Sequence, residues 1–265
     1  MNNFTLGRYV PLDSRIHRID PRFKIITMLI LMTAVFLADF YGYAILFVVL
    51  ATAILMAKLS FKFILKSMKP MMFMLVFLFI INTLLLREGT IVLQIGSFKI
   101  YSKAVIQTLF IVGRLVLMIM VTTLLTATTA PLDLTLGIED LLSPLRRFKV
   151  PAHEIAMMIS IVFRFIPTLI DDTQRIMQAQ SSRGVDLDEG KLTEKVSGII
   201  SMIIPLFVSS FQRAEDLADA MEARGYYPGK ERTRYKQLKI RVSDYVALFI
   251  CIAVLVAVVM VKRFI

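Results

Sequence analysis

Cysteine and histidine, the usual material of metal centres and cross-links, are almost missing from this chain: of 265 residues one is cysteine and two are histidine. Cys251 alone makes no intrachain disulfide and no thiolate cluster, and His17 and His153 are poor material for a metal site. None of the 11 glycines opens the spacing that ends in Gly-Lys-Ser or Gly-Lys-Thr, so the chain lacks a Walker-type phosphate loop and any ATP hydrolysis must come from a partner. Strand-like alternation is scarce too, apart from residues 90–101, which suit a small external hairpin. A polar, arginine-bearing stretch of more than twenty residues precedes the first apolar run. That is not the layout of a cleavable signal peptide, and the first span is expected to be retained.

What the chain has in excess is apolar surface. Hydrophobic residues make up 57% of it and the mean hydropathy is +0.72, above the 45–50% apolar content of an ordinary soluble domain. It also carries 31 Lys and Arg and a formal charge of +11, which a bilayer will not accept, so the sequence must divide into buried spans and a solvated portion. A span needs about 20 apolar residues as helix. Five stretches qualify: 25–38 and 43–57, forming a hairpin broken at Asp39 and Gly42, then 71–86, 104–127 and 246–261. Arg8, Arg15, Arg18, Arg22 and Lys24 precede the first span, and Lys58, Lys62, Lys66 and Lys69 lie in the expected connection between the second and third. By the positive-inside rule both regions are cytoplasmic. The N-terminus is then inside, residues 131–241 are inside, and the C-terminus is extracellular.

Residues 196–211 are free of charge and compete as a sixth span, but a repeat argues against it. Ile166-Pro167, six residues and Gln174-Arg175 lead to Arg183-Gly184; Ile204-Pro205, six residues and Gln212-Arg213 lead to Arg224-Gly225. Similar units belong on the same side of the membrane, so 196–211 reads as a buried or interfacial helix. The distance from the repeat to the tip arginine is eight residues in one copy and eleven in the other. A difference of three is nearly one turn of 3.6 residues, which keeps both arginines on roughly the same face but predicts arms of unequal reach.

The spacing predicts a short amphipathic helix around 138–147 and two long helices over about 151–182 and 192–224, each stopped by a glycine able to take positive φ; Pro228 and Gly229 reinforce the second stop. At each end a small residue, an arginine and a glycine follow in order: Ser182, Arg183, Gly184 and Ala223, Arg224, Gly225. The small residue permits close approach of a partner backbone, the glycine ends the rod, and the arginine presents a planar fork suited to a carboxylate. An arginine in a last helical turn also favours the helix dipole without any partner; its recurrence after the same upstream spacing favours docking.

From Asp20-Pro21-Arg22 to about Tyr226 the sequence resembles the T component of energy-coupling-factor (ECF) transporters, the EcfT/CbiQ-like family of ABC-type importers. The resemblance rests on Thr129-Ala130-Pro131, Ser143-Pro144-Leu145, Pro151, Glu154, Arg164-Phe165-Ile166-Pro167 and the two Arg-Gly tips. It implies an all-α, polytopic membrane protein with five transmembrane helices and a cytoplasmic helical coupling domain of two long helices. The expected divisions are a cytoplasmic N-terminal segment, 1–24; transmembrane helices one to four, 25–130; a cytoplasmic or interfacial coupling domain, 131–242; and transmembrane helix five, 243–265. It further implies that Ser182, Arg183, Gly184, Ala223, Arg224 and Gly225 couple to two ECF ATPase subunits, A and A′. Ser182 departs from the alanine usual there, but is equally small. The expected partners are those two ATPases, a substrate-binding membrane S component and the lipid bilayer, with no nucleic acid, no cofactor, no catalytic residue and no metal. The expected location is the bacterial inner membrane, and the cargo is a vitamin or other micronutrient.

Other polar residues call for less. Arg114, within the fourth span, is expected to bond a neighbouring carbonyl or a carboxylate such as Asp39. Asp171, Asp172, Asp186, Asp188 and Glu189 read as solvated charge. The 16 methionines suit either an adaptable surface or plain packing. An integral membrane transferase of lipid or cofactor synthesis is the alternative; it needs closely spaced aspartates on a span, and the spans carry none.

Overall fold

The computed structural model describes residues 9–85, 90–95, 98–143, 152–185, 192–227 and 238–264. In chain order the elements are α1 (Pro21–Leu37), α2 (Phe40–Met56), α3 (Phe61–Leu85), β1 (Ile91–Ile95), β2 (Phe98–Tyr101), α4 (Ser102–Thr128), α5 (Pro131–Leu142), α6 (Ala152–Ser182), α7 (Leu192–Ala223) and α8 (Val242–Phe264). The protein is an all-α polytopic membrane protein; β1 and β2 form only the antiparallel hairpin anticipated between α3 and α4. By length and composition alone α3, α4, α7 and α8 are able to cross a bilayer, and α2 is a shorter apolar helix. The chain separates into two compact units, one of residues 142–237 and one of 7–141 with 238–265.

Within the second unit α1 packs on α8 and α4, α3 on α4, and α2 on α8 and α4. Ala34, Val35, Leu46, Leu50, Ile54, Val121 and Val258 are buried at the centre. Phe73 and Phe249, 81% and 73% exposed, point outward, as lipid-facing side chains do because lipid tails solvate apolar surface as well as leucine does. The hairpin between α1 and α2 breaks at Ala38 and Asp39, which take extended backbone. Gly42, expected in that break, lies instead inside α2, where an added Cβ meets Ala38 Cβ at 2.9 Å and Val258 Cγ1 at 3.3 Å. Its function is close approach of α2 to α8.

Two further boundaries differ from the sequence expectation. Lys62, Lys66 and Lys69 belong to the first turns of α3 and not to a loop, with Pro70 inside the helix. The short amphipathic helix starts at Pro131 rather than near 138, because proline is favoured at the first helical position, where no backbone donor is needed. Arg146, Arg147, Pro144, Leu145 and Pro151 lie outside the described residues, as do residues 186–189, Pro228 and Gly229.

Polar side chains fasten one end of this unit. Asp20 caps α1, its Oδ1 accepting from the Arg22 amide at 2.9 Å, with Pro21 opening the helix. Lys24 Nζ donates to His17 O, Thr128 O and Thr129 Oγ1 at 3.2, 2.9 and 3.2 Å, so all three ammonium protons are satisfied. The fully buried Asp244 accepts from the amides of Asp20 at 3.2 Å and Arg241 at 2.6 Å, joining the starts of α1 and α8. Arg114 does not pair with Asp39: its Nε donates to Tyr43 Oη at 3.1 Å and its guanidinium sits 5.8 Å from the centre of the Phe36 ring. Tyr43 supplies the acceptor one α2 turn deeper than Asp39, whose carboxylate instead lies 3.7 Å from Lys262 Nζ.

Candidate functional site: two capped arginine tips

The two long helices are built around a proline each, Pro167 in α6 and Pro205 in α7. Proline cannot donate to the carbonyl four residues earlier, and a stranded backbone acceptor calls for a new donor. For Pro205 that carbonyl is Ser201, and Gln180 of α6 reaches it, Nε2 donating at 3.2 Å. Farther along, Arg213 Nη2 of α7 meets Asp172 Oδ2 of α6 at 2.5 Å, with 31% and 13% of the two side chains exposed. As the α6 position rises from 172 to 180, its α7 partner falls from 213 to 201. The helices therefore run antiparallel, and Arg183 and Arg224 leave the pair in opposite senses.

Measured from the ion pair, Arg183 is eleven residues past Asp172 and Arg224 eleven past Arg213. At a rise of about 1.5 Å per residue each tip stands about 16 Å from the pair. Counted from this bridge the two arms are equal, because the salt bridge joins the arginine of the second copy to an aspartate one turn before the arginine of the first. Asp172 is accordingly not solvated charge; Asp171 beside it is exposed.

Both helices end in the same Schellman geometry. At the α6 end Val185 N donates to Gln180 O and Gly184 N to Ser181 O, both at 3.0 Å. At the α7 end Tyr226 N donates to Met221 O at 2.9 Å and Gly225 N to Glu222 O at 2.8 Å. Gly184 and Gly225 take φ of +85° and +69°, the left-handed conformation this motif requires. Neither has a neighbour within 4 Å of where a Cβ would stand, so backbone conformation and not crowding calls for glycine. Arg183 and Arg224 are the capping residues themselves. Both are exposed, and neither guanidinium forms an ion pair among the described residues. Ser182 Oγ donates to Gln178 O at 3.0 Å, which turns its hydroxyl back onto the helix and leaves a surface as small as that of Ala223.

The structure thus brings Ser182, Arg183 and Gly184 together at one end of the pair and Ala223, Arg224 and Gly225 at the other; the two triplets do not share a site. Each is a capped helix end carrying one cationic fork that has no ion pair among the described residues. Sequence reasoning missed Gln180 and Asp172, which brace the pair. The signal was the repeated mid-helix proline, which guarantees a stranded carbonyl wherever the helix continues through it.

A family model described as cobalt transport protein, CbiQ, matches residues 13–235. The chain is 46% identical over 239 residues to the energy-coupling factor transporter transmembrane protein EcfT of Bacillus subtilis (strain 168), covering 90% of each chain. It is 45% identical to the protein of that name from Lactococcus lactis subsp. cremoris (strain MG1363), with 92% of each covered. The like-named protein of Macrococcus caseolyticus (strain JCSC5402) is 40% identical, with 99% of this chain and 100% of the relative covered.

Proposed function

The chain belongs to the EcfT/CbiQ family, as a multi-pass cell-membrane component of an energy-coupling-factor transporter, and from that premise we propose that α6 and α7 couple two ATPase subunits to transport. Each tip docks on one ATPase, Arg183 and Arg224 donating to acidic or carbonyl acceptors on it. Nucleotide-driven closure of the ATPase pair displaces the helices, and a substrate-binding S component in the membrane responds by releasing a vitamin or other micronutrient. The observation that carries this reading is the pair of identically capped, exposed arginines, each eleven residues past the Asp172–Arg213 bridge and without an ion pair among the described residues.

Residues 131–242 act as the coupling region in this scheme, with α5 seated on the start of α1. The positive-inside bias supports a cytoplasmic N-terminus and coupling region and an extracellular C-terminus. Although α7 is long and apolar enough to cross a bilayer, its second half carries Arg213, Glu215, Asp216, Asp219 and Glu222, which supports an interfacial or cytoplasmic placement. Hydrolysis belongs to the ATPases and this chain is a non-catalytic subunit. Family membership leaves the transferase alternative without support.

Copurification tests the docking. Arg183→Ala and Arg224→Ala are each expected to weaken retention of ATPase, and the double variant to lose both subunits while still folding in the membrane. A double variant that retains both ATPases and sustains normal hydrolysis and uptake overturns the assignment.

A further inference from the structure

Arg22 lies in the unit of residues 7–141 and 238–265 and contacts residues near both points at which the chain passes to and from the other unit. Apart from the first six residues, the chain leaves the membrane-helix unit between residues 141 and 142 and returns to it between 237 and 238. On the outgoing side, Arg22 Nη2 is 3.1 Å from Asp140 Oδ2, two residues before the crossing. On the returning side, the same nitrogen donates at 3.2 Å to the carbonyl of Leu238, the first residue after the crossing. One guanidinium nitrogen therefore contacts both Asp140, near the end of α5, and Leu238, ahead of α8.

The surroundings fix that arginine to the helices behind it. Its Nε lies 3.5 Å from Asp20 Oδ1, and its backbone amide donates to the same oxygen at 2.9 Å. Asp20 is in turn bonded through its amide to the buried Asp244 at the head of α8. At Gly137 of α5 an added Cβ would stand 3.0 Å from Pro21 Cβ and 3.3 Å from Arg22 N, so α5 is seated directly on the start of α1. A planar fork with its donors in one plane can hold a carboxylate and a carbonyl in fixed relative positions, which a single ammonium cannot do as rigidly.

Resting on the coupling reading above, we infer that Arg22 is a positioning residue of energy transmission: it ties the outgoing and returning chain crossings to α1, and through Asp20 and Asp244 to α8. A displacement of α6 and α7 then arrives at the first and last membrane helices together instead of being absorbed in two independent loops. Without the clamp, the ATPases still dock and hydrolyse, but the membrane helices do not follow.

The test uses the complex purified with its own ATPase subunits, with ATP and vanadate as the probe. In a Cys251→Ser background, nitroxide labels at Phe73→Cys on α3 and Phe249→Cys on α8, both exposed positions, report the α3–α8 distance. The parent complex is expected to shift that distance on trapping nucleotide. Arg22→Gln and Asp140→Asn are expected to keep the bound ATPases and their hydrolysis and to lose the shift. A parent-sized shift in both variants overturns the inference. So does loss of the ATPases in both, which makes the clamp a folding element only; if one variant alone loses them, the other decides. A parent that binds no ATPase fails the coupling reading itself, and the clamp falls with it. Arg183→Ala with Arg224→Ala, which releases the ATPases while leaving Arg22 untouched, separates the two failures.

Discussion

Replacing Gly225 by alanine isolates what the tip owes to backbone conformation. At φ +69° a residue with a Cβ crowds its own following carbonyl, at a cost of about 1–2 kcal/mol. Nothing else lies within 4 Å of the added carbon, so no contact term raises or lowers that figure. With about 1.4 kcal/mol per factor of ten in an equilibrium constant, the capped form should become about tenfold less favoured against a frayed end. The amide to watch is Tyr226, whose bond to Met221 O closes the motif; its hydrogen exchange should accelerate accordingly, as should that of Val185 in Gly184→Ala. Because the space is open, Gly225→Ser should behave like Gly225→Ala, while Gly225→Asn, a residue that enters the left-handed region more readily, should cost less. If exchange at Tyr226 were unchanged in Gly225→Ala, or if the effect grew with side-chain size, the argument from backbone conformation would be wrong.

Three other expectations follow from contacts on α6, α7 and the N-terminal segment. Asp172→Ala and Arg213→Ala each strand a partly buried charge, and a double-mutant cycle on thermal unfolding of the complex should give a coupling of about 1 kcal/mol, above that of most exposed pairs; additive variants would refute the bridge. Gln180→Ala should cost about 1 kcal/mol by leaving Ser201 O unpaired, yet be nearly silent in a Pro205→Ala background, where the helix supplies its own donor; equal costs in both backgrounds would refute the stranded-carbonyl account. Burial, the largest cause, holds the His17 imidazole below its usual pKa of 6.5, and the positive charge of Lys24 acts in the same direction. A depressed pKa means the folded state prefers the neutral ring. Its stabilising contribution is therefore present above pH 6.5 and is lost as pH falls through the lower folded value. Exchange at the Val10 amide, which donates to Ala127 O at 3.0 Å, should rise over that window in the parent and lose the His17-dependent step in His17→Gln.

How far the sequence discloses this molecule depends on the range of the interaction. Helix ends are local, and Gly184 and Gly225 were legible because a Schellman turn is written within six residues. The apolar helices α2, α3, α4 and α8 were legible because a bilayer imposes length and apolarity on each run separately. Pairings across the fold were not. Asp172 reads as one more acid beside Asp171 until Arg213, 41 residues away, is brought against it. Arg22 looks like a positive-inside marker, but its partners are separated from it by 118 residues at Asp140 and 216 at Leu238. Lys62, Lys66 and Lys69 lie in α3 and not in a connection for a physical reason: lysine is a good helix former, so a charge ends the apolar part of a helix without ending the helix.

The unequal spacing in the repeat has a mechanical meaning that the linear sequence hides. In an antiparallel pair, identical repeats do not place identical residues opposite one another; Arg213 meets Asp172, which stands three positions ahead of its own copy's Arg175. A three-residue difference between the repeat-to-tip distances is therefore the condition under which both tips lie eleven residues from the bridge. Equal spacing in the sequence would have left one arm about 4.5 Å shorter than the other at the helical rise. On the proposed coupling, two ATPases that close symmetrically then act on levers of equal length about one ion pair. A bridge that is part-buried and aided by the Gln180–Ser201 bond suits such a fulcrum, since sliding of either helix by a turn would break both contacts at once. The asymmetry of the motif and the symmetry of its load are in this way the same feature.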